Sequence, residues 1–144
     1  MSKEIPDLKT IQERFKSDPF AVACGMELVA LRPGYARVRM PLEKRHMNLM
    51  GVGHGGATFA LADTAFGAAC LSGGRQCIAV HMSMQCVKAA TISPLQAEAQ
   101  EISRGRKIAN CTVRITDGAG DLVAFFQGTA YLGSGAFPPE EGRD

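Results

Sequence analysis

The chain has 144 residues, 46% apolar and 21% charged, with a formal net charge of +2. That length suits one domain with a single core, and the near-neutral balance argues against a dedicated nucleic-acid binder, which needs a basic stripe or block. No run approaches the ~18 apolar residues of a membrane span, and "MSKEIPDLKT" lacks the apolar stretch of a secretory signal, so the expected compartment is the cytoplasm.

In chain order, residues 8–16 predict a short amphipathic helix with Leu8, Ile11 and Phe15 on one side. "SDPFAVACG" predicts a second helical piece, with Asp18 as cap, Pro19 at the first position and Gly25 closing it. "MELVALRPGYARVRMPL" reads as two strands joined at Arg32, Pro33, Gly34 and Tyr35. In the second, Ala36, Val38 and Met40 alternate with Arg37 and Arg39, giving one apolar and one charged face. A long helix over residues 54–72 follows. "QCIAVHMSMQCV" then alternates Ile78, Val80, Met82, Met84 and Cys86 against Ala79, His81, Ser83 and Gln85. "LQAEAQEI", a turn at Ser103, Arg104, Gly105 and Arg106, "KIANCTVRI", a turn at Asp117, Gly118, Ala119 and Gly120, and "DLVAFFQGTAYL" complete the pattern. "GSGAFPPEEGRD" reads as a frayed tail. Two strands, a helix and four strands make an α+β domain whose antiparallel sheet covers one long helix. Five scattered cysteines (Cys24, Cys70, Cys77, Cys86 and Cys111) form no C-x-x-C pair and read as reduced thiols filling the core, not as a metal site or a disulfide framework.

The central helix carries the chemistry. No Lys, Arg or Glu occurs between Arg45 and Arg75, so Asp63 is its only ionisable group. Phe59, Ala62, Phe66 and Cys70 share the side of the cylinder on which Asp63 stands. A helix without a charged face is wrapped by protein. A lone helical aspartate can face a solvent gap or pair with a buried arginine. A carboxylate in apolar company instead holds a raised pKa and marks sites of proton transfer or nucleophilic attack. Both readings stand on these residues alone.

At the entrance, "VGHGG" offers the backbone N–H groups of Gly55 and Gly56 at the positive end of the helix, a place for a phosphate, a carboxylate or a polarised carbonyl oxygen. Asp63 lies eight residues beyond Gly55, which is about 12 Å along a helix rising ~1.5 Å per residue. One reacting carbon cannot touch both within one helix. If the two act together they come from two chains, paired antiparallel across a two-fold axis.

"NLMGVGHGGATFALADTAFGAAC", residues 48–70, resembles the N-x-x-G-x-x-HGG-x-x-x-x-LAD segment of hotdog-fold acyl-CoA thioesterases, particularly their phenylacetate-pathway (PaaI-like) branch. The similarity extends over residues 18–132, through "DPFAVACGMELVALRPGYARVRMPL", "SMQCVKAA" and "GDLVAFFQGTAYL". It divides the chain into a helical segment 1–17, a hotdog domain 18–132 and a flexible tail 133–144. The resemblance implies hydrolysis of an acyl-CoA to a free acid and coenzyme A without metal or cofactor. The acyl group would be aromatic or medium-chain, and the site would be shared in a homodimer that pairs into a dimer of dimers. By the same resemblance Asp63 is the catalytic carboxylate and the Gly55 amide polarises the thioester carbonyl. Asn48 orients the water or the carboxylate, and His54 shapes the entrance. Gly56, Lys88, Arg104, Gly105, Arg106 and Lys107 fall where relatives contact substrate and its nucleotide. Some relatives place a hydroxyl early in the next strand; the equivalent position here is Ala79, with Ser83 the nearest hydroxyl. A non-catalytic acyl-CoA-binding module on the same fold is the alternative. A hydratase relative would need His five residues after the aspartate, where this chain has Ala68.

Overall fold

The computed structural model describes residues 7–139. Asp7 accepts a hydrogen bond from the Thr10 amide and starts α1 (Leu8–Phe15). Asp18 accepts from the Phe20 and Ala21 amides, both at 3.1 Å, and starts α2 (Pro19–Cys24), which ends at Gly25 with φ +73°. Each carboxylate satisfies helix N–H groups that have no partner inside the helix, and Gly25 takes the left-handed conformation without a Cβ penalty.

The remaining elements are β1 (Glu27–Arg32), β2 (Tyr35–Met40), α3 (Gly55–Leu71), β3 (Arg75–Cys86), β4 (Leu95–Arg104), β5 (Ile108–Thr116) and β6 (Leu122–Ala136). The six strands form one antiparallel sheet in the order β1-β2-β4-β5-β6-β3, and α3 packs against every strand. The sheet curls round a central helix, the hotdog arrangement. Ala36, Val38 and Met40 are buried while Arg37 and Arg39 point outward, as the alternation predicts.

Small side chains set how closely sheet and helix approach. Leu61, Ala62, Ala65, Phe66, Ala69 and Cys70 of α3 are buried, and Ala97, Ala99, Ala109, Ala124 and Ala130 of the sheet share their core. Phe59 and Phe66 both pack on Phe126, with ring centroids 5.4 and 5.7 Å apart. Burying a phenylalanine of this kind contributes about 1.5–3 kcal/mol. The Cys70 and Cys111 thiols touch at 3.6 Å, and that contact pushes Cys70 up to about 12, a protonated core thiol.

Three expectations change. In β3 the register shifts between Ala79 and His81, so Val80 is an extra residue and the alternation changes parity. Cys77, Ala79, Met82 and Met84 pack against the core, whereas Ile78 and Val80, grouped in the sequence with Met82 and Met84, are 67% and 59% exposed on an edge strand. The expected tail also starts too early. Because Arg75 pairs with Ala136, β6 carries residues 133–136 as strand, and Phe137 donates to Gly74 O. Residues 140–144 of that tail, and residues 1–6 of the leading segment, lie outside the described residues. Finally, β4 holds its strand through Arg104 and turns at Gly105, whose amide donates to Ile108 O at 2.8 Å.

Helix and sheet fit closely at Gly128 on β6, where an added Cβ would stand 2.8 Å from the buried Phe66 ring. Gly128→Ala is expected to destabilise the fold by about 1–3 kcal/mol in urea titration through overpacking, and adding Phe66→Leu is expected to recover part of that loss. Equal midpoints for Gly128→Ala and wild type would contradict this packing.

Candidate active site

The segment before α3 is fixed by hydrogen bonds that leave a single first-turn helix amide without an acceptor among the described residues. His46, buried, accepts from the Glu43 amide through Nδ1 at 2.9 Å and donates from Nε2 to Cys24 O at 2.8 Å, anchoring the start of the loop. Asn48 closes the next turn. Its Oδ1 accepts from the Met50 and Val52 amides, and its own backbone exchanges bonds with Val52 and Gly51. The Asn48 carbonyl oxygen is thus committed to the loop, and only its amide nitrogen is left to meet a ligand.

His54 is the N-cap of α3. Its Nδ1 accepts from the Gly56 amide at 2.8 Å, and its backbone carbonyl accepts from Ala57 and Thr58. An accepting Nδ1 puts the proton of the neutral ring on Nε2. Gly56 was expected to offer a free donor; its N–H is taken by the His54 ring. Of the first turn, the Gly55 N–H alone has no hydrogen-bond acceptor among the described residues. It lines a cavity of about 400 Å³ with Gly53, Thr58, Lys88, Ala90 and Val123.

Asp63 stands two turns further along, half-buried, beside the face of α3 that packs on the sheet. Burial raises its pKa from the ordinary carboxylate value, and no side chain donates to it among the described residues. It lines a second cavity, of about 330 Å³, with Ile11, Phe15, Phe20, Gly67, Leu71 and Phe137. Arg14 and Asp18 also line this cavity, and Thr64 beside Asp63 spends its hydroxyl on Ala60 O at 2.7 Å. The two cavities share no lining residue. The face of α3 holding Gly56, Ala60, Asp63, Thr64 and Gly67 is only partly covered within one protomer. The helix is wrapped on its sheet side alone.

The expected basic patch divides. Lys88 is bound by Asp121 at 2.7 Å and Asp117 at 3.2 Å. Burial alone would raise the Asp117 pKa, but the Asp121 amide, the Lys88 ammonium and the Ala119 amide hold it below the usual carboxylate value. Arg104 is fixed by Glu101 through two contacts of 2.8 and 3.0 Å and donates to Cys70 O at 2.8 Å, tying β4 to the C-terminal end of α3. Both cations are therefore committed to the fold. Arg106 and Lys107 are exposed and carry no ion pair among the described residues, with Gly105 in the turn beside them. Ala79 faces the core and Ser83 the opposite, exposed side of β3, so Ser83 supplies no hydroxyl toward α3.

The family model described as the Thioesterase superfamily matches residues 50–124, which span the loop, α3 and the strands through β5. The chain belongs to the thioesterase superfamily. Acyl-coenzyme A thioesterase PaaI of Escherichia coli is 28% identical over 127 residues, 88% of this chain and 91% of that protein. A provisionally named esterase of Archaeoglobus fulgidus is 36% identical over 126 residues, 87% of this chain and 82% of that one. The structure of E. coli PaaI superposes with a TM-score of 0.86 at 26% identity, covering 92% of this chain and 99% of that one. A variant of the phenylacetic acid degradation protein PaaI of Thermus thermophilus gives 0.76 at 34% identity, covering 79% and 98%. The protein is thus a PaaI-like thioester hydrolase with a hotdog fold, and none of its described helices is long and apolar enough to cross a membrane.

Sequence reasoning missed the walls of the thioesterase's Asp63 cavity. Ile11 and Phe15 of α1 and Phe137 beyond β6 come to it from both ends of the chain. One local signal was available. Gly67 interrupts a helix one turn after Asp63, where glycine costs about 0.5–1 kcal/mol relative to alanine.

Because the His54 ring satisfies the Gly56 amide, His54→Ala is expected to cost about 1 kcal/mol of stability in urea titration and to lower turnover. His54→Asn, which can still cap, is expected to restore most of the stability. A His54→Ala protein as stable as wild type would show that the cap does not hold the helix start.

Proposed function

We propose that this thioesterase hydrolyses an acyl-CoA, with an aromatic or medium-chain acyl group, in a site assembled from two protomers. Asp63 of one subunit meets the Gly55 amide of the other across the thioester carbonyl. The observation that carries this reading is the division of α3: the one first-turn donor without an acceptor among the described residues and the helix's only carboxylate open onto separate cavities of the same protomer. Antiparallel apposition of two such helices would join each half-site to its complement. The long edge strand β3, with Ile78 and Val80 exposed, and the exposed Leu49 and Met50 beside the helix start supply apolar surface for that pairing. Ile78, Tyr131 and Ile108 stand in register across β3, β6 and β5 and face outward, which supports a further pairing of dimers.

The Gly55 N–H donates to the oxygen that gains negative charge as the carbonyl carbon becomes tetrahedral. Removing one such donor typically costs roughly 10²–10³ in rate. Asp63 either removes a proton from the attacking water or attacks the carbon itself, forming a mixed anhydride that water then opens. In both routes the C–S bond breaks and coenzyme A leaves as its thiol. The new oxygen of the acid comes from water in the general-base route, and from water or from the Asp63 carboxylate in the anhydride route, where water then refills the carboxylate. Asn48 Nδ2 orients the water or the carboxylate. Gly56 acts through the His54 cap and not as a donor. Arg106 and Lys107 are the cations left to meet the phosphates of coenzyme A. Neither route draws on a metal or cofactor, and the proposed compartment is the cytoplasm.

The test is thiol release from a panel of acyl-CoAs. Asp63→Asn is expected to lower kcat at least about 10³-fold with dimer assembly retained. Wild-type turnover in the variant would remove Asp63 from the mechanism; acyl-CoA binding without thiol release by the wild type would make the protein a binding module.

Burial also sets a pH dependence. Asp63 must be ionised to act, so the acid limb of kcat/KM is expected above the ordinary carboxylate value. For stability the sign is opposite to that of an ion-paired aspartate. A raised folded pKa means the native state binds the proton more tightly, so the burial penalty is absent below the unfolded pKa and complete above the folded one. Asp63→Asn is therefore expected to raise Tm at neutral pH, with the gain vanishing in acid. A lower Tm at pH 7 would show the carboxylate stabilises the fold.

A further inference from the structure

Gly67 occupies a mid-helix position on α3, one turn beyond Asp63, and an added Cβ there would meet no atom of the described residues within 4 Å. Gly55 at the helix start is open in the same way, but other glycines have local reasons. A Cβ at Gly128 would meet the Phe66 ring, and Gly25 needs a positive φ. Neither reason applies at Gly67, where alanine would fit the protomer and strengthen the helix. What Gly67 preserves is empty volume, and that volume is the cavity onto which Asp63 opens. Facing it stand Phe15 of α1 and Phe137, both half-buried.

We infer that Gly67 forms the floor, and Phe15 with Phe137 the walls, of the pocket that receives the acyl group, so that these residues set the size of acyl group hydrolysed. The inference rests on the reading of Asp63 as the reacting carboxylate. An acyl chain whose carbonyl carbon lies against Asp63 runs along α3 toward its C-terminal end, and Gly67 is the first position on that face, one helical turn or about 5.4 Å away. A side chain there would stop the chain after a few carbons. The opposite wall comes from α1, outside the residues matched by the family model. Acyl selectivity therefore depends on the leading helical segment, whereas the catalytic groups lie wholly in the loop and α3. The three rings around the cavity, Phe15, Phe20 and Phe137, can meet an aromatic acyl group edge to face, and an alkyl chain by apolar contact alone.

The experiment uses the full chain and a series from butanoyl- to dodecanoyl-CoA together with phenylacetyl-CoA. Gly67→Leu is expected to lower kcat/KM for decanoyl-CoA relative to butanoyl-CoA at least tenfold. Phe15→Ala is expected to shift the same ratio in the opposite direction, and Phe15→Trp in the direction of Gly67→Leu. Gly67→Ala is expected to raise Tm while narrowing the acyl range, a combination that a purely structural glycine would not give. Kd values of the same acyl-CoAs, measured in Asp63→Asn with each pocket variant, are expected to follow the same order. A uniform loss across all chain lengths would overturn the inference, and so would dissociation of the oligomer in Gly67→Ala, which would assign the space to a partner helix. Asp63→Asn run alone separates the two claims: full turnover there defeats the reading of the site, whereas an inactive Asp63→Asn with unaltered acyl profiles in the pocket variants defeats only the pocket.

Discussion

The structure depends on how closely one nearly uncharged helix approaches a curled sheet. Alanines on both surfaces bring α3 and the strands together, and Phe66 reaches across only because Gly128 leaves room for its ring. A helix so enclosed has little water to offer a charge, and Asp63 sits at the edge of that enclosure. Its raised pKa and its packing therefore have one cause, the removal of solvent by apolar neighbours on α3 and the elements around it.

The same helix shows how hydrogen bonding leaves one donor unclaimed among the described residues. Four N–H groups at a helix start need partners. The carbonyl of His54 takes two, its ring takes a third, and the loop closed by Asn48 brings no acceptor to Gly55. Gly55 is left as a donor in a concave setting at the positive end of a helix, where an oxyanion is favoured. The cap that removes Gly56 from ligand binding is what holds the Gly55 amide in a defined direction.

Charge is distributed by a comparable division of labour. Lys88 and Arg104 sit in carboxylate pairs that fasten a turn and the end of α3, while Arg106 and Lys107 are exposed and have no such partner among the described residues. Pairing, not position in the chain, separates the cations that hold the fold from the others.

The order of elements, the helix over α3 to within one residue at each end, and the prominence of Asp63 and Gly55 were legible in the sequence. These rest on local rules: apolar period, glycine and proline punctuation, capping, and the rarity of one acid in an apolar run. The fate of Gly56, Lys88 and Arg104 was not legible, because each is decided by a partner that local pattern does not specify: a side-chain rotamer two residues away for Gly56, carboxylates 29 and 33 residues away for Lys88, and a carbonyl 34 residues away for Arg104. The outward turn of Ile78 and Val80 was hidden by a bulge, which reverses alternation without changing composition. The Asp63 cavity needed both ends of the chain to meet over α3. Sequence alone determined which groups could react, since chemistry belongs to residue types and helix ends; tertiary structure alone decided which remained free to do so, since a polar group is claimed or spared according to the partners the fold brings near.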